Sequence, residues 1–247
     1  MSSGSITTGR TSGLLTLAIG ALFYSSGSIA RPDLQPLGPN IADKGSAFYP
    51  FTQRQYDSAD GERHYRVWTA VPDETPPAAG YPVLYMLDGN AVMDKLDDAF
   101  LQQLFAGSPP VIVAIGYQTA LPFDTAARAW DYTPPLKTHE PRAGKPALPP
   151  RKTGGNDVFR QLLTETMVPQ TEANLKIDPH QRAIWGHSYG GLFVLDAWRK
   201  ASPFGIYYSA SPSLGQALQS PLQASQSLDA VRFRGKSLYL LEGDGKA

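Results

Sequence analysis

The segment Gly186-His187-Ser188-Tyr189-Gly190-Gly191 sets one serine among glycines. The strand-like stretch Arg182-Ala183-Ile184-Trp185 precedes it, and a helical pattern through Leu192, Leu195 and Trp198 follows. A serine on a sharp strand-to-helix turn has its hydroxyl lifted clear of both elements. The helix start behind it offers N–H groups and a positive dipole end to developing negative charge. That is the equipment of a nucleophile in acyl transfer. Gly186 and Gly190 are expected on either side because strand and helix approach too closely there for side chains. A glycine-rich turn without chemistry is the alternative, and the strand–turn–helix context argues against it.

Cleaving an ester also requires two donors for the oxyanion. One is expected from the N–H of Tyr189. The other is expected from the loop that ends an earlier strand, Leu87-Asp88-Gly89-Asn90, with the N–H of Gly89 or Asn90 as the candidate. Asp88 and Asn90 serve equally well as turn and helix-capping residues, and the two readings are compatible. The chain has no cysteine, which excludes thiolate nucleophiles, thiolate metal sites and disulfides. No metal site and no cofactor is expected. The histidines are His64, His139, His180 and His187. His187 adjoins the nucleophile and is expected to point away from its hydroxyl.

The elements that must position these residues follow from periodicity. Residues 47–56 and 64–71 read as strands, the second alternating in polarity as at a sheet edge. Residues 82–87 and 110–117 are continuous apolar runs, suited to strands buried on both faces of a parallel sheet. Between them Val92, Leu96, Phe100 and Leu104 recur at helical spacing over 91–105, giving a right-handed strand–helix–strand unit. Residues 118–155 are rich in proline and lack a clear period. They read as a cap or lid insert over a site. Asn156-Asp157 is expected to cap a helix through Val158, Leu162, Leu163 and Met167. Short strands are expected at 182–185, 206–209 and 237–241. The result is an α/β chain with a mixed, mostly parallel central sheet and helices on both faces.

The segments YPVLYMLDGN, RAWDYTPP, GGNDVFRQLL, RAIWGHSYGGLFVL and SASPSL occur in that order. Together they resemble the Putative esterase branch of the α/β-hydrolases, over about residue 47 to the end of the chain. Within it they are most similar to periplasmic siderophore esterases that open enterobactin-type trilactones. The LDGN and GHSYGG segments are shared with feruloyl esterases and other relatives; the D-Y-T-P segment carries the siderophore resemblance. The resemblance implies a serine carboxylic-ester hydrolase acting on a small-molecule ester, a ferric catecholate siderophore, with iron released in the periplasm. It also implies that Arg128 lies on the substrate side, although a solvated surface arginine would read the same way.

In that family the general base is a histidine late in the chain, in the order serine, acid, histidine. No histidine follows His187 here. The resemblance therefore implies a chain truncated at its C-terminus, lacking the last strand and the histidine loop. Glu242 or Asp244 falls where an acid would sit, although several such esterases work with a serine–histidine dyad. His139, on the insert, is the remaining histidine that could swing in. The alternatives are a non-catalytic remnant that binds an aromatic ligand through Trp130, Tyr132 and Tyr189, or a feruloyl or carbohydrate esterase of the same fold.

Composition bounds the rest. The 247 residues are 42% apolar and carry 22 basic and 22 acidic side chains, so no nucleic-acid partner is expected. Residues 1–30 read as a signal peptide. Arg10 precedes an apolar run from Leu14 to Tyr24, and Ser28-Ile29-Ala30 suits a cleavage site. The alternative is an uncleaved anchor, but the run is short for a span of about 20 residues. No other membrane insertion is expected. Residues 31–45 read as a linker, and 46–247 as the hydrolase domain with its insert at 118–155.

Overall fold

The computed structural model describes residues 34–135, 152–214 and 234–242. Its centre is a seven-stranded sheet in the order β1-β2-β4-β3-β5-β6-β7. The strands are β1 (Phe51–Asp57), β2 (His64–Ala70), β3 (Tyr81–Met86), β4 (Val111–Tyr117), β5 (Ile177–His187), β6 (Ile206–Ala210) and β7 (Ser237–Leu241). β2 runs antiparallel to both β1 and β4, and all other pairs are parallel. Every residue of β3 and β4 is buried, as their unbroken apolar runs require.

Alternate residues of these strands feed two cores, one on each face. Val83, Tyr85, Val113, Ile115 and Ile184 meet Phe159, Phe193 and Val194 on one face. Leu84, Met86, Ile112, Ala114 and Trp185 meet Val92, Met93 and Leu101 on the other. The helices that cover the sheet begin with α2 (Gly89–Lys95), α3 (Asp98–Phe105) and α4 (Thr125–Tyr132), after a short α1 (Ile41–Lys44). α5 (Asn156–Leu162), α6 (Val168–Glu172) and α7 (Tyr189–Arg199) complete the set.

Four local expectations are revised. The helix expected over 91–105 is two helices, because Leu96 turns extended and the Asp97 carboxylate accepts from the N–H of Phe100, starting α3 afresh. Part of the insert is ordered: Asp124 caps α4 by accepting from the N–H groups of Ala126 and Ala127. Residues 136–151, His139 included, lie outside the described residues. Asn156 does not cap α5 but is its first, buried residue, with its amide donating to Asp196 at 2.7 Å. α5 and α6 are joined by a π turn, Leu163–Met167, just before Pro169, whose missing N–H cannot complete the ordinary helical ladder.

The strand order decides where a site can form. From β3 the chain crosses to β4 on one side and later returns to β5 on the other, so β3 and β5 are neighbours with connections leaving in opposite directions. A crevice opens at the carboxyl ends of strands at such a reversal. The loop Leu87-Asp88-Gly89 follows β3, and Ser188 follows β5.

Candidate active site

Ser188 adopts φ 57° and ψ −113°. Among the described residues only Asp88, Ser188 and Ser211 are non-glycine residues with positive φ, and they lie within two residues of the ends of β3, β5 and β6. Backbone strain is thus concentrated at one edge of three adjacent strands, where surrounding contacts must hold it. The elbow is fastened by the Ser188 N–H donating to Ala210 O at 3.0 Å and by the Leu192 N–H donating to Ser188 O at 3.0 Å.

The glycines required for this close approach are not the expected pair. A Cβ on Gly186 would lie 2.4 Å from the carbonyl carbon of Gly190, and one on Gly191 would lie 2.7 Å from Ala210 O. A Cβ on Gly190 would meet nothing closer than Leu87 Cβ at 3.5 Å. Gly190 matters for the backbone it presents to Gly186, whereas Gly191 lets the helix rest on β6.

Tyr189 is the first residue of α7, and Gly89 and Asn90 are the first two of α2. The N–H groups of a first helical turn have no partner within their own helix. Two such N-termini meet here, since a Gly190 Cβ would sit 3.6 Å from Asp88 Oδ2. The Asn90 side chain braces the first: its amide donates to Tyr117 O at 3.1 Å and Thr119 O at 3.0 Å, and its carbonyl accepts from the Tyr117 N–H at 2.8 Å. Asp88 stands at the N-cap of α2 yet makes no capping hydrogen bond.

Asp88 instead faces Arg128. The guanidinium donates from Nε to Oδ1 at 2.8 Å and from Nη2 to Oδ2 at 2.7 Å. The side chains are only 13% (Arg128) and 6% (Asp88) exposed. The rings of Phe123, Tyr132 and Tyr189 lie 5.1, 5.7 and 5.3 Å from the guanidinium carbon. Burial opposes the charge on Arg128, but Asp88 outweighs it and raises the guanidinium pKa. Behind the pair, Tyr132 Oη accepts from the Asp88 N–H at 3.3 Å. Asp131 accepts from Tyr65 Oη at 3.0 Å and Tyr117 Oη at 2.9 Å, with Arg63 Nε 3.2 Å away. Burial pushes the Asp131 carboxyl up to about 7, against the pull of both tyrosines and Arg63. The Asp131-Tyr132-Thr133 segment is therefore the support for the loop after β3. Tyr132 is fully buried in the core and does not line a ligand pocket.

Among the described residues no histidine hydrogen-bonds to Ser188. His64 bonds Asp57 at 2.6 Å on the β1–β2 hairpin. His180 lies near the start of β5, eight residues before Ser188, or roughly 25 Å along the strand. His187 keeps an exposed edge and feels Asp88 and Arg128; burial lowers its pKa, Asp88 opposes this and Arg128 adds to it. Asp244 lies outside the described residues. His187, Ala210 and Leu241 are in register across β5, β6 and β7, so Glu242 leaves the sheet at the same edge as Ser188, two strands or about 10 Å away. Sequence reasoning missed Ser213, whose Oγ lies 2.8 Å from Ser188 Oγ. It missed the pairing of Asp88 with Arg128 as well.

The fold and this edge define an α/β-hydrolase with a serine nucleophile, and the comparisons bear on which kind. The Putative esterase family matches residues 58–227, and the chain belongs to it. The apo-salmochelin esterase of Escherichia coli O6:H1 (strain CFT073) is 54% identical over 229 residues, 93% of this chain and 70% of that protein. The ferri-bacillibactin esterase BesA of Bacillus subtilis (strain 168) is 36% identical over 65% of this chain and 57% of its own length. Among solved structures, enterobactin hydrolase IroE in complex with DFP superposes with a TM-score of 0.75 at 55% identity, covering 83% of this chain and 80% of that one. The chain is thus a serine esterase of the α/β-hydrolase fold.

Proposed function

We propose that the chain hydrolyses the ester bonds of catecholate siderophores, trilactones of the enterobactin and salmochelin kind, with Ser188 as nucleophile. The observation that carries the reading is the strained Ser188 set between two helix N-termini, in a chain 54% identical to an apo-salmochelin esterase. Ser188 Oγ attacks the ester carbonyl and its proton passes to a base. The N–H of Tyr189, with that of Gly89 or Asn90, receives the charge on the carbonyl oxygen. Collapse expels the alcohol carrying a proton from the base, and water releases the acid from Ser188 by the same steps in reverse roles.

The base in this proposal is a histidine outside the described residues, because none within them reaches Ser188. Arg128 is the substrate-side cation. Its Nη1 makes no hydrogen bond among the described residues while Nε and Nη2 hold Asp88, and a catecholate is an anion. Export to the periplasm behind residues 1–30 completes the reading, on the strength of the apolar run from Leu14 to Tyr24 and the small residues after it.

Fluorophosphonate labelling of Ser188 tests the nucleophile, and turnover of a catecholate trilactone against methyl ferulate tests the substrate. Faster turnover of methyl ferulate would replace the siderophore reading by the feruloyl one. Both measurements belong on the chain ending at Ala247, on its His139→Ala variant and on any form whose reading frame runs further. Activity confined to the longer form places the base beyond Ala247; activity lost in His139→Ala places it on the insert. Absence of labelling in every form would leave a ligand-binding protein without turnover. The mass of the N-terminal peptide of the mature protein reports whether residues 1–30 are removed.

A further inference from the structure

Ser213 holds the nucleophile at two points. Its hydroxyl is 2.8 Å from Ser188 Oγ, and its N–H donates to Ser188 O at 3.1 Å. The loop that carries it is itself pinned. The Ser211 N–H donates to Leu241 O at 2.7 Å, the Leu214 N–H donates to Pro212 O at 2.8 Å, and Pro212 Cα lies 3.2 Å from where a Gly191 Cβ would stand. Ser211 is held at φ 38°, one of the three strained residues at this edge. Residues 211–214 are thereby locked against the elbow with one hydroxyl aimed at the reacting atom.

A serine nucleophile must keep one rotamer, with its proton toward the base and a lone pair toward the carbonyl. If Ser188 donated to Ser213, its proton would point away from any base. If Ser213 donates, the Ser188 proton stays available and the donated hydrogen bond favours the negative charge that grows on Oγ. We infer that Ser213 is a positioning residue for this esterase, donating its hydroxyl proton to Ser188 Oγ and holding it in its attacking rotamer. The inference rests on the reading of Ser188 as the nucleophile.

Ser213→Ala and Ser213→Thr test it in the full chain, with unchanged melting temperatures as the control on folding. In Ser213→Ala the rate of Ser188 phosphonylation and the kcat for an ester fall roughly tenfold, the rate equivalent of one hydrogen bond, while KM holds. Ser213→Thr, which keeps the hydroxyl, restores most of the loss. In crystals of unreacted Ser213→Ala, Ser188 Oγ spreads over more than one rotamer. Equal labelling rates, a single unchanged Ser188 rotamer, or a raised KM at constant kcat would each overturn the inference. Should neither the chain ending at Ala247 nor any longer form label or turn over an ester, the nucleophile reading fails separately, and the rotamer comparison still decides the role of Ser213.

Discussion

Asp88 and Arg128, forty positions apart, meet in a two-pronged ion pair beside the nucleophile, with both side chains withdrawn from water. The pair ties the loop after β3, which leads into the N-terminus of α2, to α4. Removing one partner leaves a buried charge without compensation. Arg128→Ala is expected to cost about 3–5 kcal/mol in urea denaturation. Arg128→Lys recovers only part of this, since a single ammonium cannot span both carboxylate oxygens. A stability loss in Arg128→Ala below that of an ordinary surface substitution would show the pair to be dispensable for the fold.

The strain at Ser188 leads to opposite effects on stability and activity. Glycine accepts φ 57° without a Cβ penalty. Ser188→Gly is expected to raise stability by about 1 kcal/mol in thermal or urea unfolding while abolishing fluorophosphonate labelling. Ser188→Ala abolishes labelling equally but keeps the strain, so the two variants separate in melting temperature.

The glycines of the elbow differ in what they tolerate. Gly191→Ala drives a methyl to within 2.7 Å of Ala210 O and must displace α7 or β6. A loss of about 1–3 kcal/mol and slower labelling of Ser188 are expected, read by melting temperature and mass spectrometry. Gly190→Ala meets ordinary contact distances and stands in the first turn of a helix, so its stability matches or exceeds that of the wild type.

Asp131 makes stability depend on pH in a direction opposite to that of most carboxylates. Its pKa rises on folding from the ordinary value of 3.8 to about 7. Below about pH 4 both states are protonated and the group is neutral in effect. Between about pH 4 and 7 the unfolded chain ionises first, so stability is lost as pH rises, by a total on the order of 4 kcal/mol, and levels off above 7. The stability of the wild type minus that of Asp131→Asn, measured by urea denaturation from pH 4 to 8, is expected to fall across this range. A difference that stays level would place the Asp131 carboxyl in the ordinary range.

The sequence by itself determined the local features. Ser188 was legible because strand, turn and helix around it are contiguous. The two inner strands were legible because burial on both faces leaves an unbroken apolar run. Tyr189, Gly89 and Asn90 were read as candidate oxyanion donors from their places after strand ends, and the structure sets all three at helix starts. The break at Asp97 and the helix Thr125–Tyr132 escaped notice, since a single capping carboxylate decides each and the apolar period continues or is too short on either side. What only the tertiary structure decided is which distant residues meet. Asp88 looks like a cap, Arg128 like a surface cation and Ser213 like a loop serine until the chain doubles back to set β5 beside β3 and β6 beside β5. Side-chain type states what each residue can bond; the order of the strands states with whom.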